Sequence, residues 1–165
     1  MPATLPVPLE FRPPEDWLVA PAEENESLGV AFAAVHPRPD EGFAANITID
    51  GGFPLDGVTP AQLADASVEQ LREGAGSVEV VDRREVGSGD APALTQRLAI
   101  SAVVDGTLRD LVQSQVYLFV VDERDPHRRG LVRIALTATA AQHDAVLGDF
   151  QEFLRTVRPD VPEEA

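Results

Sequence analysis

Apolar and polar positions alternate along this chain with two periods, and the places where one gives way to the other mark out its elements. Four strand-like runs lie in succession, at Ser77 to Val86, Pro92 to Val104, Arg109 to Asp122 and Gly130 to Thr139. Gly87-Ser88-Gly89-Asp90, Asp105-Gly106 and the stretch from Asp125 to Gly130 separate them, so neighbours are expected to pair antiparallel as a meander. Val103-Val104-Asp105-Gly106-Thr107-Leu108 carries the clearest hairpin signal. Val116-Tyr117-Leu118-Phe119-Val120-Val121 is apolar on both alternate sets, which places that strand near the middle of the sheet with both faces covered. One helix cannot cover two faces, so the two predicted helices are assigned to opposite sides.

Each of those helices begins with the same chemistry. Thr59-Pro60-Ala61-Gln62 offers a hydroxyl to the orphan backbone donor at Gln62 and a proline where a missing N–H costs nothing, and Val58 ahead of it can staple onto Leu63. Leu63, Ser67, Val68 and Leu71 then form a narrow stripe, and Gly74-Ala75-Gly76 is read as the stop. Thr139-Ala140-Ala141-Gln142 opens the second helix, in which Val146, Leu147, Phe150, Phe153, Leu154 and Val157 recur at helical spacing. A stripe that wide must be buried.

Ahead of the first helix the chain reads as extended. Leu5, Val7, Leu9 and Phe11 alternate between prolines, which confines them to an edge. Leu28 to Val35 is a strand that pairs with the segment around Leu18 and Val19, and Phe43, Ala45, Ile47 and Ile49 form one apolar face of the next. At 165 residues the chain suits one domain that removes roughly 70% of its unfolded surface from water. Its core is expected over about 9–158, with residues 1–8 and 159–165 flexible.

Composition narrows the partners. Twenty-eight acidic residues against thirteen arginines and no lysine leave a formal charge of −15, which repels nucleic acid and anionic lipid surfaces alike. Without cysteine there is no disulfide, thiolate nucleophile or zinc-thiolate site. Neither a signal peptide nor an apolar run approaching the ~20 residues that span a bilayer is visible, so a cytoplasmic location without membrane insertion is expected.

No catalytic, metal or cofactor residue can be assigned. His36 and His127 sit beside prolines in turns, and His143 falls in the first turn of the last helix. Separations of 91 and 16 residues between them give no ligand pairing, so each is read as structural or solvated. Ser88 lies in a strand-to-strand turn rather than a nucleophile elbow, and Gly74-Ala75-Gly76 follows a helix where a phosphate loop would precede one. Aromatic and apolar residues near turns remain as candidate partner contacts: Trp17, Phe43, Phe53 and Leu55. Phe53 and Leu55 stand out, because a loop bounded by glycine and proline is a poor place to hide two large apolar groups.

Three stretches carry a resemblance. Pro14-Glu15-Asp16-Trp17 resembles the early turn, Phe43-Ala44-Ala45-Asn46-Ile47-Thr48-Ile49 a strand, and Ile134 to Val157 the closing strand and helix of the PsbP and Ran-binding Mog proteins, with their DcrB-type and LpqN-type bacterial relatives. The resemblance covers about residues 9–158 and implies an α+β fold, an α/β/α sandwich around an antiparallel meander closed by a C-terminal amphipathic helix. It further implies binding of other proteins without catalysis, in relatives that serve as lipoproteins, chaperones or assembly factors. No lipobox cysteine is present, and no functional residue transfers, because these proteins share a scaffold more than a site. The first expectation is therefore a non-enzymatic, chaperone-like domain that binds a partner protein or a second copy of itself. The alternative is a START-like carrier or enzyme with an apolar ligand cavity between the sheet and the last helix.

Overall fold

Local signals set most of the architecture in the computed structural model, which describes residues 9–21, 23–24, 30–40, 42–53, 57–87, 92–104, 106–122 and 125–159. Strands run in chain order as β1 (Leu9–Glu10), β2 (Leu18–Val19), β3 (Phe32–Val35), β4 (Asn46–Gly52), β5 (Ser77–Gly87), β6 (Pro92–Val104), β7 (Thr107–Asp122), β8 (Asp125–Thr139) and β9 (Arg158–Pro159). Helix α1 (Pro60–Gly74) lies between β4 and β5, and α2 (Ala140–Thr156) follows β8. Seven strands form one antiparallel sheet in the order β2-β3-β4-β8-β7-β6-β5, and β1 pairs separately with β9.

The meander β5 to β8 follows the sequence expectation, with a two-residue link after Val104 where Gly106 takes a φ of 80°. One boundary differs. The stretch from Asp125 to Gly130, expected as a turn, is the start of β8 and pairs with the end of β7. The meander then closes on the N-terminal hairpin through β4, whose Asn46 pairs with Thr137 and Gly52 with Leu131.

Both helix starts form as their residues dictate. The Thr59 side chain accepts from the Gln62 amide while the Gln62 side chain accepts from the Thr59 amide, a complete capping box. Thr139 caps α2 in the same sense through the Gln142 amide, and its hydroxyl donates to Asp40. The stop after α1 has a different cause from the left-handed glycine cap expected there. Ala75 is extended, and the Gly76 amide donates to the Ser101 carbonyl at 2.8 Å. A Cβ at Gly76 would stand 3.2 Å from that oxygen, a tight approach that glycine relieves where the two backbones meet.

The helices lie on opposite faces, and each covers a different half of the sheet. Val146, Phe150 and Phe153 of α2 pack on Phe32, Ile47, Ile49, Ile134 and Leu136, over the β3-β4-β8 half. Val68 of α1 packs on Val78, Leu98, Ile100 and Leu111, and Ala64 on Leu94 and Tyr117, over the β5-β6-β7 half. This diagonal offset leaves open grooves beside the helices.

Candidate functional site

The groove beside α1 has a polar floor because the polar sets of four strands converge under that helix. Gln96 of β6 donates to Gln115 of β7 at 2.6 Å and to the Ala64 carbonyl, while Gln115 donates to Ser67 of α1 and to Gln113. Tyr117 donates to Gln115 at 2.9 Å, and Gln113 donates to Thr137 of β8. Arg83 extends the chain outward, from Gln96 to a 2.6 Å ion pair with Asp65. Gln96, Gln115 and Tyr117 are at most 3% exposed, and each has partners, so the network fixes α1 over the sheet instead of leaving buried polar atoms unpaid in hydrogen bonds.

Beyond this network two adjoining hollows of about 340 and 270 Å³ share Ser67, Gln70 and Arg133 as walls. Arg133 of β8 donates through Nε and a terminal nitrogen to both oxygens of Asp50 on the register-paired position of β4, at 3.0 and 2.5 Å. Burial pulls the guanidinium pKa down, but the hydrogen bonds and charge of Asp50, with a smaller contribution from Tyr117, outweigh it and the net shift is upward. The pair is half-buried and fork-shaped, a rigid feature rather than a mobile acid or base. Phe53 forms part of the wall, 44% exposed.

The second groove runs along α2 over β6 and β5, with a volume of about 480 Å³. Leu147, Phe150, Leu154 and Val116 form its apolar wall, and Arg97, Arg84, Thr95 and Gln151 its polar side. Close by, His143 is 2% exposed with Nε2 2.9 Å from the Ser114 hydroxyl. Burial and then the charge of Arg97 lower its pKa, against a weaker opposing effect of Asp144. Where α2 meets the sheet directly, Phe150 and Phe153 pack in one cluster with Phe32, Ile47, Ile134 and Leu136, and the groove lies at the side of that contact.

The four candidate contact residues separate. Trp17 is corrected to a core position: it is 6% exposed, packs in the α2 cluster, meets His36 edge-on and donates to Asp149 at 3.1 Å. Asp16, directly before it, is left-handed with φ 69°. Phe43 is also packed, against the α1 cluster and so on the opposite face from Ile47 and Ile49. The Asp40–Phe43 turn interrupts the alternation before β4 begins. Phe53 alone of the described candidates is both exposed and beside a groove; Leu55 lies outside the described residues. Sequence reasoning missed Asp50, Arg133 and Arg97, which are polar members of half-buried strands. Their only signal is a charge at an alternating position, and its meaning depends on which strands pair.

Among the described residues no three His, Asp or Glu side chains converge as metal ligands, and no helix is long and apolar enough to cross a membrane. No protein-family model and no curated protein sequence matches the chain. Solved structures do. LpqN of Mycobacterium tuberculosis, described as involved in cell envelope biogenesis, is 16% identical with a TM-score of 0.63, over 93% of this chain and 86% of that one. The Ran-binding protein Mog1p of Saccharomyces cerevisiae is 17% identical with a TM-score of 0.59, over 92% and 89%. The cyanobacterial PsbP of Synechocystis is 13% identical with a TM-score of 0.58, over 92% and 86%. At such identities the likeness is one of architecture, and by that architecture the chain has the PsbP/Mog1 fold.

Proposed function

We propose that this protein is a non-catalytic protein-binding domain that receives its partner in the groove beside α1. The observation that carries the reading is Phe53, a large apolar side chain 44% exposed beside a groove whose polar floor is already held in place. Exposed aromatics next to preformed polar surfaces are where binding energy concentrates in protein interfaces. The Asp50–Arg133 fork supplies direction without requiring reorganisation on binding. The Ran-binding description of Mog1p supports the class of function, and nothing about its partner is transferred.

The test begins with a partner recovered natively, identified by mass spectrometry and then purified, so that calorimetry is done on two defined proteins. Phe53→Ser and Gln70→Arg should each weaken the complex at least tenfold, whereas Arg97→Gln on the opposite face should leave it unchanged. Equal affinity for all four proteins, or failure to recover any stoichiometric partner, overturns the reading.

A further inference from the structure

We infer that the groove along α2 is a binding site for a small monocarboxylate with an apolar chain. This goes beyond the protein-binding reading and does not rest on it, since the two grooves lie on opposite faces. The starting observation is Arg97. Its Nε is buried without an acceptor, and no hydrogen bond or ion pair engages its side chain among the described residues. The residue as a whole is only partly buried and lines the groove. A guanidinium has five N–H groups in a planar fork that matches a carboxylate. Among the described arginines, Arg133 is held by Asp50, Arg83 by Asp65 and Arg72 by Glu69.

The surroundings select the chemistry. Asp82 is the acid lining the groove, and it pairs with Arg84 at 3.4 Å. Thr95 on β6 and Gln151 on α2 add neutral hydrogen-bonding groups, so the polar end favours an anion. Leu147, Leu154 and Val116 provide a continuous apolar wall for a hydrocarbon chain. A volume of about 480 Å³ lies in the range of small-molecule sites, roughly 300–1,000 Å³. The net charge of −15 opposes any anion at long range, but physiological salt screens it over about 8 Å, and at contact distance Arg97 dominates.

The experiment is a ¹H–¹⁵N NMR titration of the full chain with sodium octanoate, with acetate and 1-octanol as probes lacking the chain and the charge. Octanoate should give saturable shifts in residues 95–97, 114–116 and 147–154, which neither control reproduces at the same concentration. Arg97→Gln should weaken binding at least tenfold. Gln151→Glu, at an exposed helix position that leaves the fold intact, should also weaken it by placing a carboxylate across from Arg97. The inference is overturned if octanol matches octanoate, if the shifts map outside this groove, or if both variants titrate like the unaltered protein.

Discussion

Arg97 acts on more than its own groove, because its charge is felt at His143. The groups facing that imidazole are Ser114 from β7, Arg97 from β6 and Asp144 on α2, and burial dominates them all in holding the ring neutral. A histidine whose folded pKa lies below the unfolded value of 6.5 contributes its stability in full above that pH. As pH falls below 6.5 the unfolded chain takes up a proton that the folded chain refuses, and stability declines. Arg97→Gln removes one of the depressing charges, so the His143 pKa should rise and the acid-side loss of stability should shrink, read by NMR titration of the ring and by denaturation across pH 5–7. At Arg133 the sign of a substitution is equally clear. Arg133→Gln leaves the half-buried Asp50 carboxylate without its charged donors and should cost about 1.5–3 kcal/mol in urea denaturation. Neither arrangement was legible in the sequence. His143 could be read as structural from its place in the helix, but Ser114 and Arg97 reach it from strands whose register no local pattern specifies. Trp17 is a related case: it stands in a turn of the sequence, and the residues that bury it, in the cluster around α2, lie far along the chain.

Elements were far more legible than contacts, because capping and periodicity are written within a few residues. The Thr59 box and the α2 stripe both form where their spacing places them. Their energetic weights differ. Phe153, 1% exposed and stacked on Phe32, should cost about 3–5 kcal/mol when truncated to Ala. Thr59→Ala, at an exposed helix start, should cost about 1 kcal/mol, so the two variants should separate clearly by thermal or chemical denaturation. Two details escaped because they depend on a second element. Gly76 lies in close contact with the Ser101 carbonyl, and β8 begins at Asp125 where β7 is there to pair with it.

At the scale of the molecule, the meander was legible from its short turns, whereas the joining of β4 to β8 was not. That pairing brings together segments on either side of α1 and three intervening strands, and only the resemblance to known architectures pointed toward it. The diagonal placement of the helices also lies beyond any local rule, since the apolar stripe of a helix fixes which side it buries and says nothing of which half of a sheet it covers. The small β1–β9 pair has a further consequence. Leu9 stands opposite Pro159, so the described chain comes back to where it started and is close to a ring in its connectivity. Cutting the tight reversal at Gly106 and bridging residue 159 to residue 9 with a short flexible joint should yield a circular permutant with the same far-ultraviolet dichroism and a single cooperative melt. Fluorophores placed at residues 10 and 158 should report their proximity by strong energy transfer in the folded protein, lost on unfolding.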